Sequence, residues 1–139
     1  MKYSPERLRQ IFDRTSGYCH LCGKKLSFRN YGRINTRGAW EVEHSNPRIN
    51  GGSDHLNNLY PAHIRCNREK CDLTTRTARA WNDRSKAPLS LKKRKEAKIV
   101  NTVIGAGLGL VLGSLFGPAG RLICSAMGAY LGRKINPDT

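Results

Sequence analysis

With 139 residues, the chain has room for one domain of ordinary size. Its 25 lysines and arginines against 10 acidic residues leave a net charge of +15, which opposes compaction by self-repulsion. A polyanion is favoured as partner, and nucleic acid and anionic lipid are the two candidates.

The first predicted element is a short helix. Ser4, Pro5 and Glu6 read as an N-cap, a first-turn proline and an acid at the positive end of the helix dipole. Leu8, Ile11 and Phe12 then share a face, so residues 5–15 are predicted as an amphipathic helix ended by Gly17. This polar start reads as carrying no cleavable secretion signal. Residues 18–26 form a Cys-x-x-Cys-Gly turn, and the Arg-, Asn- and Gly-rich residues 27–38 form a hairpin or an exposed loop. Trp40, Val42 and His44 alternate with Glu41 and Glu43, which predicts a strand. Asn50-Gly51-Gly52-Ser53 is a loop. Residues 64–83 lack glycine and proline and are predicted as one helix. Residues 84–98 read as a basic connector holding Lys92-Lys93-Arg94-Lys95.

From Ile99 the character changes. Residues 1–98 hold 22 basic and 9 acidic side chains, and residues 99–139 only three and one. Residues 99–117 carry no charge, and after Pro118 the apolar run resumes with Arg121 as its one charge before Arg133. The expected organisation is therefore a folded domain over residues 1–85, a basic linker over 86–98 and a hydrophobic helical hairpin over 99–134.

The five cysteines, Cys19, Cys22, Cys66, Cys71 and Cys124, are odd in number and begin with a Cys-x-x-Cys pair. This argues for a metal site rather than a disulfide framework, in a reducing cytoplasm. Cys19 and Cys22 can hold one side of a tetrahedral structural zinc from a tight turn, with Gly23 suited to a positive φ. Two pairs can supply the other side: His63 with Cys66, or Cys66 with Cys71. The two-residue gap of His63 and Cys66 fits the lead-in to a helix better, which leaves Cys71 as a spare thiol. His20, between the first two cysteines, reads as an exposed bystander.

Between the halves of this knuckle stand Glu43-His44-Ser45-Asn46-Pro47, Gly51-Gly52, Asn58-Leu59 and His63-Ile64-Arg65-Cys66-Asn67-Arg68-Glu69-Lys70. Here the sequence resembles the HNH nuclease family over roughly residues 5–80. His44, Asn58 and Asn67 stand 14 and then 9 residues apart, a spacing like that family's. It departs in carrying Glu43 where aspartate is common, Asn67 in place of a closing histidine, and His63 where cysteine is usual. The resemblance implies an α+β fold: a small ββα-metal unit, two strands and a helix crossing over them, followed here by the hydrophobic hairpin. It implies that His44 is the general base that deprotonates the attacking water, as an imidazole titrating near pH 6.5 can. Glu43 and Asn67 would hold a catalytic divalent cation, Mg²⁺ or another, through oxygen. Asn58 would brace the loop and orient His44. Arg48, Arg65, Arg68 and Lys70 are the expected nucleic-acid contacts, made mainly to phosphates.

In the tail, Gly105, Gly109, Gly113 and Gly117 are spaced four apart, and Gly120, Cys124, Gly128 and Gly132 continue the stripe of small residues. On a helix this stripe lets another backbone come close. Glycine costs about 0.8–1.0 kcal/mol per site relative to alanine in a water-soluble helix, whereas in a bilayer the backbone must satisfy itself and helix is the answer. Nineteen uncharged residues can span about 30 Å of hydrocarbon. The segment resembles glycine-zipper membrane segments, which implies membrane lipid as a partner and a homo-oligomer through the stripe. Positive charge before residue 99 and at Arg133-Lys134 would keep both ends cytoplasmic, with the hairpin turning at Gly117-Pro118. A soluble helical hairpin is the other reading of the tail. The functional expectation is a membrane-tethered, metal-dependent endonuclease acting on DNA. The alternative is a non-catalytic, zinc-dependent DNA-binding or assembly module.

Overall fold

The computed structural model describes residues 2–138, which divide into two compact units at Leu91 and Lys92. In the first unit, helix α1 runs Pro5–Asp13. Ser4 caps it by accepting a hydrogen bond from the Arg7 amide at 3.2 Å, and Leu8 and Ile11 are buried from its inner face. Strand β1 (Trp40–His44) pairs antiparallel with β2 (Leu59–His63), with Trp40 opposite His63 and His44 opposite Leu59. Helix α2 (Ile64–Lys70) follows β2 directly, and α3 (Thr75–Ala80) follows α2. The result is a small α+β unit with a two-stranded sheet.

The core gathers around Trp40, which is fully buried beside Leu8, Ile11, Leu21, Leu26, Leu59 and Ala62. Phe12 packs on the Trp40 ring with centroids 5.1 Å apart, and the Trp40 indole donates to the Phe28 carbonyl at 3.3 Å. Residues 27–38 form no hairpin. They make one 3₁₀ turn at Phe28–Asn30 and an isolated bridge between Tyr31 and Trp40. The turn of the first two cysteines closes through the Gly23 amide on the Cys19 carbonyl at 2.9 Å. Gly23 there has φ +70°, a conformation side-chain-bearing residues rarely adopt.

Two predicted elements are corrected. The single helix expected over 64–83 is two helices, broken where Cys71 takes φ +50° and ψ −120°. The Thr74 hydroxyl caps the next helix by accepting from the Thr77 amide at 3.2 Å, a local bond that competes with helix continuation. The basic connector expected over 84–98 is helical from Leu91, because its Lys, Arg, Glu and Ala residues are good helix formers with no glycine or proline among them.

In the second unit, α4 (Leu91–Gly113) and α5 (Gly117–Lys134) are joined by one 3₁₀ turn at Ser114–Phe116. The two helices pack backbone to backbone. A methyl group placed on Gly105 would lie 2.1 Å from the Gly128 carbonyl oxygen, and one on Gly109 would lie 2.0 Å from that of Cys124. One on Gly132 would lie 2.1 Å from the Asn101 oxygen. The stripe of small residues expected to meet a second copy is therefore covered by the chain's own other helix. Arg94 closes the base, pairing with Asp138 and donating to the Asn136 side chain at 3.1 Å. Val103, Val111, Leu115, Leu122 and Ile123 point away from the contact and are exposed.

This packing predicts a position-specific effect. Gly128→Leu is expected to cost the hairpin about 1–3 kcal/mol or more through overpacking, read as a lower midpoint for loss of helical circular dichroism in detergent micelles. Gly107, which has open space where a Cβ would stand, is the control: Gly107→Leu should leave the midpoint unchanged.

Candidate metal centre and neighbouring cleft

Four residues from three places in the sequence converge at the first site. The turn supplies Cys19 and Cys22, the end of β2 supplies His63, and the first turns of α2 supply Cys66. Their ligand atoms all lie within 4.8 Å of one another. A tetrahedral zinc with Zn–S bonds near 2.3 Å needs ligand atoms roughly 3.8 Å apart, so the Cys₃His cluster fits zinc binding. The His63 Nδ1 sits 3.4 Å from Cys22 Sγ, and the His63 amide donates to Cys19 Sγ at 3.3 Å. Hydrogen bonds with Cys19 and Cys22 push the imidazole of His63 up to about 10, and bonding with Cys19 and Cys66 pulls the Cys22 thiol far below its ordinary range. Cys66 is pushed up instead, by bonding with Cys19 and Cys22, so the cluster shares protons that a dication would displace. Cys71 is exposed and outside the cluster, so His63 with Cys66 forms the second pair.

His44 ends β1 and faces a cleft of about 170 Å³ lined also by Arg48, Asn67 and Lys70. Its Nε2 lies 2.7 Å from Asp54 Oδ1. Arg48 pairs with the other carboxylate oxygen, and its Nε lies 3.3 Å from His44 Nε2. The Arg48 guanidinium, and then His44, hold the Asp54 carboxyl well below the usual carboxylate range, so Asp54 is an anion at every working pH. The backbone around His44 is pinned from both sides. Lys70 donates to the His44 carbonyl at 3.1 Å, and Thr75 donates to that of Ser45 at 2.8 Å. Asn58 braces the following loop: its Oδ1 accepts from the Asn46 amide at 2.7 Å, and its Nδ2 donates to the carbonyls of Asn46 and Ser53.

Glu43 points the other way, into the interior, and is fully buried. Its Oε2 is 2.9 Å from His20 Nδ1, and its Oε1 is 3.2 Å from the Lys70 ammonium. Oε1 has no hydrogen-bond partner of its own. Asn67 donates from Nδ2 to Glu41 Oε1 at 2.9 Å, which leaves its carbonyl oxygen as the acceptor end. Carboxylate and amide oxygens are hard donors of the kind Mg²⁺ takes, but in this structure both Glu43 oxygens already face a partner, His20 and Lys70.

Several sequence expectations change here. His20 is not an exposed bystander: it is 1% exposed, with desolvation the main cause that lowers its pKa. Lys70, expected to contact nucleic acid, is 1% exposed, because its ammonium is drawn inward by Glu43 and the His44 carbonyl. Arg48, Arg65 and Arg68 remain at the surface, with Arg65 paired to Glu69 at 2.6 Å. Asp54 went unrecognised. An acid ten residues beyond a histidine, across a glycine loop, has no periodic signature; only the loop's return toward β1 joins the two.

No curated protein and no solved structure matches the chain significantly. Residues 19–72 match the model of the HNH endonuclease family, a span that includes the whole cysteine-histidine cluster, both strands and the cleft. A domain of this kind supports a nuclease or DNA-binding role. Residues 19–72, which carry the cluster, the sheet and the cleft, are thus similar to an HNH endonuclease domain.

Proposed function

We propose that this chain is a metal-dependent endonuclease that hydrolyses DNA phosphodiester bonds and is held at a membrane by its C-terminal hairpin. The observation that carries the catalytic reading is His44 at the lip of the cleft, held by Asp54. Its Nε2 meets both the Asp54 carboxylate, which only accepts, at 2.7 Å and the Arg48 Nε–H, which only donates, at 3.3 Å. The shorter contact to Asp54 favours the ring hydrogen on Nε2. Nδ1 then keeps its lone pair, as a general base requires. His44 removes a proton from water through Nδ1, and Asp54 stabilises the imidazolium that results. Glu43 and Asn67 would hold the divalent cation, Mg²⁺ or another. When bound, it supplies charge stabilisation for the scissile phosphate and leaving oxygen. Arg48, Arg65 and Arg68 position phosphates along the surface. Asn58 keeps the His44 loop in place and touches no substrate.

For the tail, the apolar outer face of α4 and α5 supports insertion into lipid. Leu91–Lys134 is long and apolar enough to cross a membrane by length and composition. The basic stem at Lys92–Lys98 and the pair Arg133-Lys134 lie at the same end of the hairpin sequence, which favours a cytoplasmic nuclease domain. Such a tether would let the enzyme meet DNA as it crosses the membrane, in defence against incoming DNA or in a toxin.

One observation favours a second reading, zinc-dependent DNA binding without catalysis. The Glu43 carboxylate is already paired with Lys70. Supercoiled plasmid incubated with the purified chain separates the two. Catalysis predicts nicked or linear product with Mg²⁺ and none with EDTA; intact plasmid retarded on a gel under both conditions would establish the binding module.

A further inference from the structure

We propose that the open end of the hairpin carries a binding site for the headgroup phosphate of an anionic phospholipid, formed by Lys95 and Lys98 of α4 and Arg133 of α5. The inference rests on the membrane reading given above and names the lipid class that the tail selects. The three cations line one cleft of about 410 Å³ together with Ile99 and Thr102. Backbone packing brings them together. A methyl group on Gly132 would lie 3.4 Å from the Thr102 Cα, so the next residue, Arg133, is held beside the turn that carries Lys98 and Thr102. Lys95, Lys98 and Thr102 follow one another at spacings of three and four, and so share a face of α4. The unit has two acids, Glu96 and Asp138. Asp138 is taken by Arg94, and Glu96 does not line the cleft. Among the described residues, none of the three cations is paired with a carboxylate. Like charges around one cleft repel, and an anion between them removes that repulsion. Arg133 offers a planar fork that matches phosphate oxygens, and the lysines add point charges.

The kind of anion follows from what adjoins the charges. Residues 99–117 carry no charge, so the three cations stand at the edge of the apolar run, where headgroups meet hydrocarbon. Ile99 in the cleft is 64% exposed, and Val103, one turn further, is 65% exposed. Cations on one side and bare aliphatic side chains on the other fit an amphiphile, with its phosphate on the cations and an acyl chain along Ile99 and Val103. Free phosphate would leave the apolar half uncovered, and a nucleic-acid phosphate is flanked by sugars rather than by hydrocarbon. A zwitterionic headgroup would bring an ammonium into a cleft that is already cationic. Basic pockets between membrane helices on the cytoplasmic side bind anionic headgroups in this way.

The test measures lipid affinity by native mass spectrometry on the full-length protein in neutral detergent, without added Mg²⁺. Dioleoyl phosphatidylglycerol is the probe, with dioleoyl phosphatidylcholine, inorganic phosphate and a short DNA duplex as parallel ligands. Two charge-matched double variants are compared, all at exposed positions. Lys98→Gln with Arg133→Gln takes two cations from the cleft. Lys92→Gln with Lys134→Gln takes the same charge from the same end of the hairpin, outside the cleft. The expected result is phosphatidylglycerol binding about 30-fold weaker in the first double, about fivefold for each cation. The second double should bind as wild type does, and phosphatidylcholine should bind weakly throughout. Equal losses in the two doubles would show a diffuse field of charge and overturn the site, as would undiminished binding by the first. A loss for inorganic phosphate or for the duplex as large as that for phosphatidylglycerol would reassign the cleft and overturn the lipid proposal. Wild-type protein that floats with phosphatidylglycerol vesicles but binds both lipids equally overturns this proposal alone. Wild-type protein that stays in solution without detergent and does not float overturns the membrane reading, and this proposal with it.

Discussion

His44→Ala is expected to abolish DNA cleavage, by about 10²–10⁴-fold, while the protein keeps its zinc and its melting behaviour. The side chain is 15% exposed and its one carboxylate partner is at the surface. Truncation therefore leaves no buried orphan, since Asp54 keeps its pair with Arg48. The hydrogen bonds that shape the loop come from Lys70, Thr75 and Asn58 and do not involve the ring. A large loss of rate with little loss of stability is what separates a base from a packing residue. Asp54→Asn should act in the same direction but less, lowering kcat with KM unchanged, because the amide can still orient the ring but cannot stabilise an imidazolium. Plasmid nicking rates with Mg²⁺ in excess measure both, and undiminished cleavage by His44→Ala would remove His44 from the reaction.

Loss of zinc is expected to unfold residues 1–91 rather than merely inactivate them. The unit's core is a handful of side chains around Trp40, and short chains of this kind need a staple. Structural zinc contributes an apparent 10–16 kcal/mol in small zinc domains, as much as the whole net stability of an ordinary domain, about 5–15 kcal/mol. The cluster also ties together the turn before β1, the end of β2 and the start of α2, so nothing else replaces it. Cys22→Ser, or a strong chelator, should remove the near-ultraviolet signal of the buried Trp40 and the cooperative melt. Cys71→Ser should change neither, as Cys71 stands outside the cluster. A zinc-free protein that still melts cooperatively within a few degrees of wild type would show that the core suffices.

What the sequence determined alone was whatever depends on local pattern or fixed spacing. The cap and apolar face of α1, the alternation in β1, the Cys-x-x-Cys turn, the choice of His63 and Cys66, and the change of character at Ile99 were all readable in this way. The tertiary structure decided matters that turn on which groups meet after the chain folds back. The helix expected over 64–83 breaks at Cys71 and restarts from the Thr74 cap, and the glycine stripe of α4 is used up against α5. Asp54 reaches His44 across a loop, and Lys70 turns inward. His20, next to Cys19 of the metal-ligand cluster, turns away from it and bonds Glu43. Lys70 and His20 turn inward because a buried charge or polar group finds its partner there, Asp54 meets His44 because the loop folds back, and a linear pattern carries no record of such distant pairings.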